Sequence, residues 1–410
     1  MIGVRHARAW QPGSASVSRE RRTILFLNVG HTLDHLFMLI FPTVVLAMSV
    51  EMQRPYAELL PLSLGGFIAF GAFSLPSGWL ADRWSRSGMM VVFFLGIGAA
   101  SILTGLARTP FEIAAGLTLI GAFAAIYHPV GTAMLVANTA QVGRTLGVNG
   151  VYGNLGLAFS ALLAGAMADW FGWRWAFIAP GVLSLAVGAM FARTSPRRAA
   201  APVAAPPTLQ RVPRALFARV FCVLIVSIIC NGLIFNSTTI SMPRVFYERL
   251  AGLTQSTLGI GALVCGVYSV AAMSQLIVGW LIDRRPVKGV FVVVMGLQVP
   301  LLFLAGTTQD YLMLAVALGM MFFVFGQVPI NDAMVARYTA EKWRARAYSL
   351  RYVMSFSASA LSVPLVAFIH HTTGDFGALF AILAALALLA FVAAIAFPGE
   401  PRSAPLAAHS

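Results

Sequence analysis

The sequence predicts an all-α integral membrane protein of twelve transmembrane helices, arranged as two pseudo-symmetric six-helix bundles. Composition is the first observation behind this prediction. Hydrophobic residues make up 59% of the chain and charged residues only 10%, whereas a typical soluble domain has about 25% charged residues. A repeat is the second observation: one short polar motif occurs twice, about half a chain length apart, between long apolar runs. Such a repeat indicates two halves of similar architecture.

The apolar runs are the predicted membrane spans. A helix needs about 20 apolar residues to cross the hydrocarbon core, and a spanning segment must satisfy its own backbone hydrogen bonds, which leaves the helix as the conformation for runs of this length. The spans are predicted at about 23–48, 57–79, 87–107, 111–136, 145–168, 173–192, 216–243, 254–281, 287–306, 311–336, 346–369 and 374–397.

The segments outside the spans are polar and divide the chain. A tail at 1–22 lacks the apolar core of a signal peptide. A stretch at 193–215, rich in Pro, Ala and Arg, is typical of a linker because its composition cannot bury a core. The predicted organisation is therefore one bundle at 23–192, the linker, a second bundle at 216–397 and a short tail at 398–410.

Basic residues are concentrated in alternate connections of this layout. Most of the 28 Lys and Arg fall in the N-terminal tail, the linker and the loops on that same side. Basic loops stay in the cytoplasm, so both termini are predicted to be cytoplasmic in a multi-pass protein of the plasma (inner) membrane. This bias accounts for the net charge of +14, and no nucleic-acid partner is expected.

The repeated motif reads G-W-L-A-D-R from Gly78 and G-W-L-I-D-R from Gly279. It resembles the cytoplasmic loop between the second and third helices of the major facilitator superfamily, and G-W-R-W-A-F from Gly172 is similar to another pattern of that family. The resemblance implies a secondary transporter that works by alternating access. Residues predicted to act in gating are Gly78, Asp82, Arg83, Arg86, Gly279, Asp283, Arg284, Arg144, Arg346, Asp332 and Arg351; the last two are interpreted first as an ion pair.

Polar side chains within the membrane mark the candidate binding site. His31, Asp34, His35 and Met38 share one stripe of the first span, and intramembrane ionisable groups usually face a cavity or a partner. In the superfamily, the helices that correspond to spans one, four, seven and ten line the central cavity. The predicted substrate- and proton-binding residues are His31, Asp34, His35, Tyr127, His128, Asn231, Asn236, Gln327 and Asn331.

Two local features concern how the helices pack. Pro129 follows His128 inside the fourth span and is expected to bend that helix. The fifth span carries glycines at small-residue spacing, which predicts close contact with a neighbouring helix. These glycines are Gly150, Gly153, Gly156 and Gly165.

The functional hypothesis is proton-coupled transport of a small solute by a monomer embedded in the lipid bilayer, with Asp34 as the titrating group and no cofactor. A resemblance of G-H-T-L-D-H and Y-H-P to the fosmidomycin-resistance-like branch favours efflux of a small organic compound. Transition-metal transport is the alternative, with His31, His35 and Met38 as ligands. A membrane-embedded enzyme or a receptor is less favoured, because no catalytic motif occurs in the sequence.

Overall fold

The computed structural model describes residues 14–139, 141–194, 214–338 and 341–398, and within these ranges the chain is helical without strands. The long helices of the first half are α1 (Ser14–Glu51), α2 (Leu64–Arg83), α3 (Arg86–Leu106), α4 (Pro110–Ala124), α5 (Val142–Phe171) and α6 (Trp175–Thr194). Those of the second half are α7 (Arg214–Arg249), α8 (Thr257–Arg284), α9 (Val287–Ala305), α10 (Asp310–Tyr338), α11 (Glu341–Thr373) and α12 (Gly377–Ala396).

Length and composition make this a multi-pass membrane protein. Among the described residues, 11 helical segments are long and apolar enough to cross a bilayer. The remaining long helix, α11, lies partly outside the residues whose side chains are described. Most of the linker predicted at 193–215, and the ends of both tails, also lie outside the described residues.

The first helix begins earlier than its apolar run. The sequence assigns residues 14–22 to the tail, yet α1 already starts at Ser14. A helix that has nucleated adds further residues at little cost, so the polar residues before the apolar run extend α1 instead of forming a separate segment.

The two halves repeat the same helix pairings. In the first half α1 packs on α5, α2 on α4, and α3 on α6. In the second half α7 packs on α11, α8 on α10, and α9 on α12. This helix-for-helix correspondence is the pseudo-symmetry that the repeated motif predicts.

The helix ends define two faces. The tail face contains the start of α1 and the turn between α2 and α3, and the far face contains the end of α1 at Glu51. The halves meet along α5 and α8. Near the far face, Gly165 lies directly against the Thr257 carbonyl and Gly261 against that of Ala161. Small residues at these positions let the two helices approach closely.

Away from the far face, α5 and α8 remain joined by the hydrogen bond that Asn154 Nδ2 donates to Gln275 Oε1 at 3.1 Å. Closer to the tail face, a methyl group added at Gly147, Gly150 or Gly279 would meet nothing within 4 Å among the described residues.

Two helices of the first half are interrupted. A short helix, Tyr56–Leu59, and a single 3-10 turn, Leu60–Ser63, precede α2. After α4 the chain continues through a π-helical turn, Tyr127–Gly131, into the helix Thr132–Ala137. Pro129 lies inside the π turn, so the helix is irregular at this proline, and the expected bend stays a prediction.

Candidate functional site

Three histidines from two helices form the centre of the site. His31 and His35, one turn apart on α1, lie on the same face, and their Nε2 atoms are 3.0 Å apart. His128 joins them from the π turn, with its ring centroid 5.4 Å from that of His31 and 5.6 Å from that of His35. All three side chains are partly accessible. The sequence places two of them on one stripe, and the structure adds the third.

Hydrogen bonding determines the tautomer of His31. Its Nδ1 lies 2.8 Å from the backbone carbonyl of Asn149. A carbonyl only accepts, so Nδ1 carries a proton, and in the neutral ring Nε2 then has a free lone pair. His35 therefore donates from its own Nε2 to that of His31. When His31 takes up a second proton, His35 must rotate or release its own, so the two rings respond together to protonation.

Asp34 is the one wholly buried carboxylate of the cluster. It has 0% exposure, and neither of its oxygens has a hydrogen bond to the described part of the chain. The nearest partner is His128, whose Nε2 is 3.4 Å from Asp34 Oδ2. An ionised carboxylate in such a place is costly unless a positive charge compensates it, so Asp34 and His128 form an electrostatically coupled pair.

Buried amides and a phenol support the histidines from behind. Tyr127, wholly buried, stacks on the His31 ring at 4.9 Å with an interplanar angle of 18°. Its hydroxyl donates to the Leu27 carbonyl at 2.8 Å and accepts from Asn149 Nδ2 at 2.8 Å. Asn149 also donates to Asn28 Oδ1 at 3.0 Å. Sequence reasoning missed both asparagines, because a single amide within a span resembles any interhelical hydrogen-bonding group.

Glycines of α5 bring this helix against α1 at the site. A methyl group added at Gly153 would lie 2.6 Å from the His31 ring, and Gly156 lies directly against the Thr32 carbonyl. Together with Gly165, these residues confirm the predicted close helix contact. For Gly150 the prediction is wrong, because that residue faces open space among the described residues.

The first copy of the repeated motif touches the same site from α2. A methyl group at Gly78 would lie 3.3 Å from Pro129 in the π turn. A larger residue at position 78 would therefore press on the segment that carries His128, which links the motif to the histidine cluster by direct packing.

The second half carries a neutral polar network at the corresponding helices. Ser227 donates to Asn331 Oδ1 at 2.9 Å and accepts from Asn231 Nδ2 at 2.9 Å. Gln327 donates to the Asn231 carbonyl at 3.2 Å and accepts from Gln298 at 3.2 Å. Three of the four predicted residues of this half therefore come together. The side chains Ser227 and Gln298, which sequence reasoning did not include, complete the network.

Asn236, the fourth predicted residue of the second half, stands apart from this network. Its Nδ2 donates to the Gly232 carbonyl of its own helix at 2.8 Å. The amide nitrogen thus already bonds to its own helix, and its contact with a substrate stays a prediction.

The predicted gating residues lie mostly at the tail face. Asp82 accepts a hydrogen bond from Arg86 Nη2 at 2.7 Å, and Arg83 lies over the Trp79 ring at 5.1 Å. Arg284 lies over the Trp280 ring at 4.4 Å, and Arg144 is exposed. The side chains of Arg346 and Arg351 lie outside the described part of the chain. Gating contacts with Arg346, and the ion pair of Asp332 with Arg351, therefore stay predictions, as does the gating role of every residue in this set.

The histidine cluster also has the geometry to hold a metal ion. One nitrogen each from His31, His35 and His128 can be chosen so that all three lie within 4.8 Å of one another. The third member is His128, whereas the metal hypothesis from the sequence names Met38. Imidazole nitrogens are ligands for Zn, Cu, Fe and Ni.

Twelve long helices form two equivalent halves with polar residues buried between them, and among the described residues 11 of these helices are apolar enough to span a bilayer, an arrangement typical of membrane transport proteins. Comparison with known families agrees: the pattern of the Major Facilitator Superfamily matches residues 32–331 and 251–409. The chain belongs to this superfamily.

Curated relatives match parts of the chain. Puromycin resistance protein pur8 of Streptomyces alboniger is 33% identical over 111 residues, 26% of this chain. An uncharacterised MFS-type transporter of Mycobacterium tuberculosis is 29% identical over 206 residues, 47% of this chain. The matches span only 22% and 29% of the lengths of those two relatives.

Solved structures match nearly the whole fold. A bacterial homologue of the human lysosomal transporter Spinster, in its inward-facing and unoccupied conformation, superposes with a TM-score of 0.69 at 13% identity. The match covers 92% of this chain and 95% of that one. The occupied, inward-facing form of the same homologue gives a TM-score of 0.69 at 14% identity. At this identity the likeness concerns the fold alone.

Proposed function

We propose that a proton gradient drives this transporter and that Asp34 and His128 hold the coupling proton. The burial of the Asp34 carboxylate, without a hydrogen bond and 3.4 Å from His128 Nε2, carries this proposal. One proton keeps the pair neutral, whether it resides on the carboxylate or on the imidazole. Losing it leaves a buried net negative charge, and gaining a second leaves a net positive one. Both charged states oppose closure of apolar surface around the site.

His31 and His35 serve as the relay between this pair and water. Both rings are partly accessible, and their hydrogen-bonded Nε2 atoms, 3.0 Å apart, offer a path for a proton. A proton enters through the rings while the cavity is open to one side, the neutral pair permits occlusion, and release on the other side completes a cycle.

We assign substrate binding to the neutral polar groups of the second half. The network around Asn231, Gln327 and Asn331 contributes amides and a hydroxyl. Two of its oxygens, Asn231 Oδ1 and Gln298 Oε1, are buried without a hydrogen bond to the described residues. Such acceptors suit a substrate with amine or hydroxyl donors better than an anion, which is usually bound by Arg or Lys.

Export of a small organic compound is the direction and cargo we propose. The similarity to a protein named for puromycin resistance supports it, because that name describes resistance to a small organic compound. The excess of basic residues in the loops of the tail face supports a plasma-membrane topology with both termini in the cytoplasm. We expect the monomer to be the working unit.

Transport in proteoliposomes with puromycin as the probe tests the proposal. An imposed pH gradient should drive puromycin accumulation by the wild type. Asp34→Asn should abolish gradient-driven accumulation and keep exchange of puromycin across the membrane, because the amide cannot release a proton. Glu58→Gln is the matched control: it removes an exposed carboxylate paired only with Arg54 among the contacts described. Unchanged pH dependence in Asp34→Asn would contradict the proton role.

The alternative hypothesis, transport of a transition metal, predicts a different result for the same purified protein. If the three imidazoles carry a transition metal, purified protein should retain zinc or copper, and His31→Ala and His35→Ala should each abolish uptake of that metal. Neither bound nor transported metal is expected from the proton hypothesis. Elemental analysis of the purified wild type, with the two alanine variants as controls, separates the two functions.

A further inference from the structure

A tyrosine of the first half is seated in a pocket of the second half at the far face. Tyr56 opens the short helix after α1 and is only 2% exposed. Its ring lies 5.3 Å from that of His370 and 6.4 Å from that of Phe376. The Arg244 guanidinium covers it at 5.5 Å. The three surrounding side chains come from α7, α11 and the turn before α12, so the aromatic ring bridges the two halves.

Glu248 holds the walls of this pocket together. Its Oε1 accepts from Arg244 Nε at 2.7 Å and from His370 Nε2 at 2.8 Å. The bond to His370 joins α7 to α11, and the bond to Arg244 holds the guanidinium group that covers the Tyr56 ring. Arg249 interacts electrostatically with both Asp375 and Glu248.

The ring of Tyr56, and not its hydroxyl, carries the contact. The hydroxyl oxygen is buried and has no hydrogen bond to the described residues. An unsatisfied buried hydroxyl opposes burial, whereas the ring gains from aromatic and cation–π contacts. The contact between the Tyr56 ring and its pocket is therefore favourable yet reversible. A contact that breaks and forms again in each transport cycle must have both properties.

We propose that Tyr56 is the positioning residue that closes the far face, and that Glu248 keeps its pocket assembled. While it occupies this pocket, the Tyr56 ring holds the first half against α7 and α11 at the far face, where α5 and α8 also meet. When the halves rock to open the far face, Tyr56 must leave the pocket. This role does not depend on which ion or substrate drives transport, so it can be tested independently of the proton hypothesis.

Distances between spin labels at the far face measure this closure directly. Labels at Arg108→Cys and Thr307→Cys report on opposite halves, because both positions are exposed in far-face turns. The background replaces the three native cysteines, Cys222, Cys230 and Cys265, with serine. In lipid nanodiscs without substrate, the labelled protein should be mainly in the short-distance, far-closed state.

Tyr56→Ala should raise the ratio of far-open to far-closed protein about tenfold, since the buried ring contact is lost. Tyr56→Phe should keep the wild-type distribution or shift it toward closure, because the hydroxyl has no partner. Glu248→Gln should shift it toward opening to a smaller degree. Tyr311→Ala, which removes an exposed far-face aromatic ring, is the matched control and should change nothing.

A Tyr56→Ala distribution identical to that of the wild type would overturn the proposal, as would an equal opening in Tyr56→Phe. If Tyr56→Ala does not fold, Tyr56→Leu gives the same measurement with the side-chain volume largely kept. If Tyr56→Leu and Glu248→Gln both keep the short-distance distribution of the wild type, the role of the ring is likewise refuted.

Discussion

The contact between Gly153 and His31 allows a quantitative test of how the site is built. A methyl group at Gly153 would lie 2.6 Å from His31 Cε1, 2.7 Å from Nε2 and 2.9 Å from Nδ1. Ordinary contacts are about 3.5–4.0 Å, so the ring must move by about 1 Å. That movement disrupts the 2.8 Å hydrogen bond to the Asn149 carbonyl. Overpacking costs about 1–3 kcal/mol, and the lost hydrogen bond costs about 1 kcal/mol. The free energy of unfolding of Gly153→Ala should therefore be about 2–4 kcal/mol lower than that of an alanine variant whose added methyl group meets no neighbour.

Gly150→Ala supplies that reference. It lies on the same helix, and its added methyl group meets nothing within 4 Å among the described residues. Both variants gain the helix propensity of alanine, about 1 kcal/mol, so this contribution cancels in their difference. Unfolding of the purified proteins by SDS in mixed micelles measures the free energies. Equal stability of the two variants would refute the packing of His31 against α5.

Three other substitutions test separate parts of the account. Tyr127→Phe should destabilise the protein by about 2 kcal/mol, because its buried hydroxyl serves as both donor and acceptor; an unchanged melting temperature would contradict this. His35→Ala should shift the pH profile of transport while some activity remains, and its complete loss would argue against a relay role. Asp82→Asn should slow transport without lowering the melting temperature, because Asp82 is exposed, paired with Arg86, and predicted from the repeated motif to act in gating; transport at the wild-type rate would exclude it from gating.

Much of the architecture could be predicted because membrane spans impose strong constraints on the sequence. Apolar runs of sufficient length identify helices, and the repeated motif at Gly78 and Gly279 indicates two halves. The interruptions were less predictable. Pro129 signals the irregular turn in the fourth span. Pro55 and Pro61 flank the short helix at Tyr56 in the same way, but proline alone does not specify that the helix restarts as a 3-10 turn before α2.

The site was predictable where helical periodicity brings residues together and not where tertiary packing does. His31 and His35 share a face of one helix, so their proximity follows from spacing alone. The approach of His128, and the hydrogen bond that His31 donates to the Asn149 carbonyl, depend on how separate helices pack. The sequence likewise cannot reveal that Asn236 bonds to its own helix, since an amide at that position could equally face a cavity.

Infrared difference spectroscopy of a pH titration tests the central claim, that Asp34 binds and releases a proton, most directly. A protonated carboxyl group buried away from water gives a carbonyl stretching band distinct from that of exposed carboxyls. The wild type should show such a band appearing and disappearing with pH, Asp34→Asn should lack it, and Glu58→Gln should retain it. His128→Ala should shift the pH at which the band changes, because it removes the group 3.4 Å from Asp34 Oδ2. A titrating band that persists unchanged in Asp34→Asn would contradict the proposed coupling site.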